Sequence, residues 1–230
     1  MSQQPDKEQQ RIVEDNIRAR HATRAFLPRP VELSVIENIL RLASCSPSGT
    51  NTQPWHVHVV TGECRDRLVR EVCAAYYQAP ARSDSSIYAN LNVEPYLSRK
   101  RTLGKAMYGL IGIQKGDTTR MQAQHRRNFE LFGAPVGIFV TIDKHLGPGS
   151  WLDAGMFMQT LMLAAQAYGL DTCPQAVWLH LESVVARVIG WPDTERLVSA
   201  ISLGYGDSSY PENNLRSERV PVEEFAVFHE

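Results

Sequence analysis

A single domain that interleaves helices and strands is what these 230 residues predict, on three observations. Hydrophobic periodicity switches repeatedly between about 3.6 and 2 residues along the chain. The run Ala134 to Asp143 is short, apolar and β-branched, as a strand buried on both faces is. A hydrophobic content of 43% over 230 residues suffices for one full core, so a second domain is not required.

Charge and composition exclude several classes of partner. The 24 Lys and Arg nearly balance the 25 Asp and Glu, giving a net charge of -1, so no basic field invites nucleic acid or an anionic membrane surface. Cys45, Cys64, Cys73 and Cys173 have no C-x-x-C spacing and no histidines at zinc-ligand intervals, which points to reduced thiols. Residues 1–10 contain neither a basic nor an apolar signal region; they read as a mobile start to a cytoplasmic protein, with 11–230 as the domain. The most apolar run, Ala154 to Leu170, is interrupted by Gln159, Thr160 and Gln166 and is shorter than the roughly 20 residues of a membrane span.

In chain order, Ile12, Val13 and Ile17 recur at helical spacing and lead into Arg20-His21-Ala22-Thr23-Arg24. Two guanidiniums and an imidazole this close read either as an anion site, since the arginine fork matches phosphate or carboxylate oxygens, or as a solvated basic turn. After Pro28 and Pro30, Ser34-x-x-Glu37 has the form of a capping box opening a helix whose apolar stripe is Val35, Ile36, Ile39, Leu40 and Ala43. The stretch that follows, Ser46 to Trp55, organises the chain. Its Pro47 and Gly49 fix and free the backbone in turn, and Ser48, Asn51 and Gln53 offer short polar groups suited to a flat polar heterocycle.

Trp55, Val57, Val59 and Thr61 alternate with His56, His58 and Val60, a period-two strand. His56 and His58 share a face but lack a third ligand, so no metal site is expected. Helical spacing resumes from Gly62 to Tyr77. Between Pro80 and Phe132, nine Lys or Arg against four Asp or Glu leave +5. Two weakly apolar helices, near Glu94 to Ile113 and Thr118 to Leu131, make this segment an excursion over the core, read as a lid that either steers an anionic molecule or is a solvated face.

Beyond the Ala134–Asp143 strand, Trp151 to Tyr168 is apolar nearly all round, which places this helix in the core or at a subunit interface, with Gly169 closing it. Thr172 to Trp178 and Leu197 to Tyr205 read as strands, separated by a short helix over Leu181 to Ile189. Gly204-Tyr205-Gly206 lacks the third glycine and following helix of a dinucleotide fingerprint. A polar loop with Asn213, Asn214, Arg216 and Arg219 precedes the tail. No G-x-S-x-G, P-loop or H-E-x-x-H motif is present to carry hydrolase or nucleotide-hydrolysing chemistry.

Four motifs in this order, Arg20-His21-Ala22-Thr23-Arg24, Ser46 to Trp55, Gly169 to Gln175 and Arg216 to Pro221, resemble those of the flavin-dependent nitroreductase family, a match spanning about Arg20 to Phe225. The resemblance implies an α+β fold, a mixed sheet flanked by helices, in a homodimer whose C-terminal tails cross onto the partner. It implies FMN, held at its phosphate and ribityl end by Arg20, His21, Arg24 and Arg219 with Arg216 as a helper. Ala22 stands where a serine is common, and Ser217 where some members have lysine. Pro47, Ser48, Gly49 and Asn51 match the loop that contacts flavin, in this family partly from the opposite subunit. Asp153 sits where other branches place a glutamine near the flavin, and Pro174, Gln175, Ala176 and Val177 match the run along the ring. The implied activity is ping-pong reduction of a small aromatic acceptor, a nitro compound or quinone, by NADPH or NADH, with no catalytic side chain. The alternatives within the fold are a reductive dehalogenase and a flavin-processing or flavin-sensing protein.

Overall fold

A strand flanked on both edges and covered on both faces is the centre of the molecule. The computed structural model describes residues 6–78 and 91–230, and within them the elements are α1 (Lys7–Ala19), α2 (Leu33–Ala43), β1 (Trp55–Val60), α3 (Gly62–Gln78), α4 (Tyr96–Leu110), α5 (Thr118–Arg126), β2 (Val136–Asp143), α6 (Pro148–Ala167), β3 (Asp171–Gln175), α7 (Glu182–Ile189) and β4 (Glu195–Gly204). The strand order is β1-β2-β4-β3, with all three pairs antiparallel. The parallel contribution to the expected mixed sheet is an isolated bridge, Ala22 to Thr172, beyond the edge of β3. β2 is buried from Val136 through Ile142, which is why its sequence is apolar without alternation.

Side-chain alternation divides the core in two. Ile138, Val140 and Ile142 of β2 join Ile201 and Leu203 of β4 against Ile36 and Ile39 of α2 and Phe157, Leu161 and Ala165 of α6. On the other face, Phe139, Ala200 and Cys173 meet Leu68 and Val72 of α3, Val185 of α7 and Trp178. Trp55 stacks on Phe157 with ring centroids 4.8 Å apart, fixing the start of β1 to α6.

Several expected boundaries move. Helix α1 starts at Lys7, inside the stretch read as mobile, because Asp6 accepts from the Glu8 N–H; residues 1–5 lie outside the described residues. The capping box does not form: α2 is opened by Glu32 with no side-chain cap, so Ser34 is already inside the first turn. β3 ends at Gln175, and Trp178 falls in a 3₁₀ segment, Ala176–Leu181. The expected helix to Leu131 stops at Arg126 and continues as a 3₁₀ stretch, Arg127–Gly133, whose Phe129, Leu131 and Phe132 are core residues. The excursion is therefore shorter than 80–132 at its C-terminal end; residues 80–90, with Arg82 and Asp84, lie outside the described residues. Helix α4 has no buried residue.

The glycines of Gly204-Tyr205-Gly206 answer to packing. A Cβ at Gly204 would lie 2.7 Å from Pro135 Cδ, and one at Gly206 would lie 2.3 Å from Asp171 Oδ2. Gly204→Ala is expected to destabilise the fold by about 1–3 kcal/mol through overpacking. Gly104→Ala, in α4 with nothing within 4 Å of the added carbon, is expected to be neutral or to stabilise by up to about 1 kcal/mol. Calorimetric melting of the two variants checks this, and equal melting temperatures would contradict it.

Candidate active site

The loop between α2 and β1 is built on strained backbone. Thr50, Asn51 and Gln53 have φ of 50°, 61° and 46°, a left-handed region that non-glycine residues occupy at a cost of about 1–2 kcal/mol each. Local bonds hold it: the Gln53 N–H donates to Ser48 Oγ at 2.9 Å, and Gln53 Nε2 donates to the Asn51 carbonyl at 3.2 Å. The base of the loop is tied to α6. Ser46 Oγ donates to Thr160 Oγ1 at 2.8 Å, and the Gly49 N–H faces both carboxylate oxygens of Asp153, at 3.2 and 3.3 Å. Asp153 is buried, so its carboxylate shapes the loop. Pro47, Gly49 and Asn51 are exposed and Ser48 half-buried in the single chain.

A second cluster forms where the chain passes β3. The Thr23 N–H donates to the Thr172 carbonyl at 3.0 Å, which sets the Arg20–Arg24 segment beside Cys173. Burial, together with the neighbouring Arg219 guanidinium, lowers the pKa of Arg20 below its ordinary value. Burial also pushes the Cys173 thiol up to about 11, against the opposing pull of Arg24 and Arg20. Arg20, Arg24 and Arg219 thus converge from the two ends of the chain. Among the described residues none of them, nor Arg216, has a carboxylate within ion-pair distance. Arg219 Nη1 rests on the Ser217 carbonyl and hydroxyl at 2.9 and 2.6 Å, and Arg216 Nη1 on the Asn213 carbonyl at 2.8 Å. His21 Nδ1 lies 3.0 Å from the Ala19 carbonyl. The result is a group of guanidiniums with no paired carboxylate among the described residues, whose forked donors match phosphate or carboxylate oxygens.

The run after Cys173 divides by exposure. Pro174 is exposed, and Ala176 and Val177 are half-buried. Gln175 turns inward instead, donating from Nε2 to the Asn128 carbonyl at 2.7 Å and accepting from Ser202 Oγ at 2.5 Å. Its amide is thus used in the core, between β3, β4 and the 3₁₀ stretch after α5. His58, on the same sheet face but on the opposite edge strand, sits 2.8 Å from Glu195 Oε2.

One chain does not bring loop and arginine group together. Gly49 hangs on Asp153 near the N-terminus of α6, whereas the arginine segment follows Thr172, just past its C-terminus. The fifteen residues from Asp153 to Tyr168 span about 22 Å of helix, and β1 and β3 are opposite edges of the sheet, about 14 Å apart at three strand spacings.

Other residues of the site escaped the sequence reading. Asn213 accepts from the Arg24 N–H at 2.6 Å, and the Arg127 guanidinium, counted above among the lid charges, is paired with Glu212 and donates to the Arg24 carbonyl at 2.9 Å. A buried Glu-Asn pair opening a 3₁₀ turn after Pro211 leaves no periodic signal.

Comparisons with known proteins bear on the family. The family model described as the Nitroreductase family matches residues 17–205. The nitrobenzene nitroreductase of Ectopseudomonas oleovorans is 37% identical over 219 residues, 94% of this chain and 96% of that protein. The 4-nitrobenzoate reductase of Pseudomonas putida is 38% identical over 212 residues, 92% of this chain and 93% of that protein. The crystal structure of the FMN-dependent nitroreductase NfnB from Mycobacterium smegmatis in complex with NADPH superposes with a TM-score of 0.89 at 30% identity, over 98% of this chain and 100% of that one. With a match over most of its length and relatives well above 30% identity along nearly all of it, the chain belongs to the nitroreductase family.

Proposed function

We propose that the protein is an FMN-dependent NAD(P)H oxidoreductase that reduces small nitroaromatic compounds, working as a homodimer with a flavin site at each end of the interface. The observation that carries this reading is the convergence of Arg20, Arg24 and Arg219, which, like Arg216, have no carboxylate within ion-pair distance among the described residues. Its donors fit a phosphate of charge near −2, whose oxygens accept several forked N–H groups at once. The acceptor class is supported by the relatives named for nitrobenzene and 4-nitrobenzoate, and the donor by the NADPH of the NfnB complex.

When bound, FMN supplies the redox chemistry, accepting a hydride from NAD(P)H and passing two electrons on to the nitro group. The chain supplies position. Arg20, Arg24 and Arg219 hold the phosphate end, with Arg216 and His21 beside them, and Ala22 keeps the segment on β3. Pro174, Ala176 and Val177 offer the apolar edge of the run toward the ring. The Gly49 loop, with Pro47, Ser48 and Asn51, reaches the cofactor from the partner subunit, because within one protomer it stands at the far end of α6. Anaerobic protein should lose its yellow absorbance on NADPH or NADH addition and regain it with nitrobenzene; flavin that stays oxidised would favour a flavin-binding role without turnover. Arg20→Ala and Arg219→Ala should lose FMN through gel filtration, whereas Arg101→Ala should retain it, because each of the first two would lose a charge-assisted bond to the phosphate and Arg101 lies outside the arginine group, on α4. Equal retention in all three would refute the phosphate assignment.

Exposed apolar surface supports the homodimer. Leu152 of α6 is 72% exposed, Ile12 of α1 58% and Phe225 of the tail 68%, large apolar side chains that a second chain would cover. Light scattering at micromolar concentration should therefore give the mass of two chains with flavin bound, and a one-chain mass would end the shared-site reading. Helices α4 and α5 form the lid in this reading, supported by the absence of buried residues in either. Reversing Lys100, Arg101 and Lys105 to glutamate should raise KM for NADPH more than for NADH, and added salt should narrow the gap as it screens exposed charge over about 8 Å. Unchanged KM for both nicotinamides would reduce the lid to a solvated surface.

A further inference from the structure

We propose that Asn213 is the positioning residue that joins the two arginine groups into one phosphate cradle, an inference that rests on the reading of that cradle as the FMN phosphate site. The segment carrying Arg20 and Arg24 is not a full strand. It touches the sheet at intervals: Thr23 N–H to the Thr172 carbonyl at 3.0 Å, Leu27 N–H to the Tyr205 carbonyl at 2.8 Å, and the Ala25 carbonyl to the Asp207 N–H at 3.0 Å. Between these contacts the backbone of Arg24 is satisfied by side chains. Its N–H donates to Asn213 Oδ1 at 2.6 Å, 189 residues away, and its carbonyl accepts from Arg127 Nη2 at 2.9 Å.

Asn213 uses its remaining groups in the same place. Nδ2 donates to the Ala25 and Asp207 carbonyls, both at 2.8 Å, and the Asn213 carbonyl accepts from Arg216 Nη1 at 2.8 Å. The residue is 7% exposed, and the neighbouring Glu212, at 2%, pairs with Arg127. One side chain therefore fixes the backbone under Arg24 while the main chain of the same residue seats Arg216, at the head of the segment that carries Arg219. An asparagine is suited to this, since only an amide presents an acceptor and two donors on one short stem. Removing it leaves the Arg24 N–H without a partner, takes one of two donors from each of the Ala25 and Asp207 carbonyls, and lets the two arginine groups move independently.

FMN and riboflavin separate a positioning role from a merely structural one, because they share the ring and ribityl chain and differ in the phosphate. Each is titrated into full-length, flavin-stripped protein by fluorescence quenching. Wild-type protein should bind FMN more tightly than riboflavin, and Asn213→Ala should weaken FMN about tenfold or more while leaving riboflavin unchanged. Asn213→Ser, which keeps an oxygen acceptor and lacks the two amide donors, should weaken FMN in the same selective way and carries the test if the alanine variant does not fold. Unchanged FMN affinity, or equal weakening of both flavins in the serine variant, would overturn the proposal. Equal affinity of wild-type protein for FMN and riboflavin would overturn the phosphate reading beneath it.

Discussion

Guanidiniums held near one another without a carboxylate repel, and the fold has to hold Arg20 and Arg219 in that arrangement before any ligand arrives. Bonds around them hold the arrangement: Thr172 and Asn213 take the N–H groups of Thr23 and Arg24, and the Ser217 carbonyl and hydroxyl take the Arg219 guanidinium. The neighbouring group on the sheet, Cys173, stays a neutral thiol because burial raises its pKa. A carboxylate there would neutralise the arginines and close the site to a phosphate. Positive charge that cannot be satisfied internally is what a partly buried anion site requires.

Helix α6 sets the scale of everything else. Its inner face is packed along the sheet, and different parts of it hold the two halves of the proposed site: Asp153 in its second turn and Thr160 at mid-helix carry the strained loop, and the chain after Tyr168 leads to Thr172 and the arginine segment. The loop's left-handed residues are affordable only because Asp153, Ser48 and Gln53 over-determine them. Such rigidity suits a loop that must meet a cofactor presented by another surface. The same helix leaves Leu152 and Met156 uncovered on its outer face, beside the route from one half-site to the other.

The strands and most helices were legible because their signals are local. β2 is apolar without alternation and is covered on both faces; β1 alternates, and its Trp55, Val57 and Val59 pack toward α2 and α6. The capping box misled because Ser34 and Glu37 match a spacing without fixing which residue begins the helix, and the turn starts at Glu32. Charge counting misled at the end of the lid, where Arg126 and Arg127 are paired with Glu130 and Glu212 and the intervening Phe129 is core. The arginines themselves were legible as residue types. Their convergence was legible only through the family resemblance, because the link runs through Asn213, a long-range side-chain contact with no period.

The Gly204-Tyr205-Gly206 run shows how a weak motif acquires meaning from its neighbours. As a nucleotide signature it fails; as packing it is specific. Gly204 lets Pro135, at the entry of β2, lie against the end of β4, and Gly206 lets its N–H reach Asp171 Oδ2 at 3.0 Å with Thr23 close by. The bridge from Phe26 to Gly206 then holds the far end of the arginine segment, as Ala22 to Thr172 holds the near end. A side chain at Gly206 would push Asp171 and Thr23 apart, and Thr23 is adjacent to Arg24. The absence of two Cβ atoms on β4 and its exit thus reaches the arginine segment through a chain of contacts, so the geometry of the proposed anion site is set partly by residues that carry no charge.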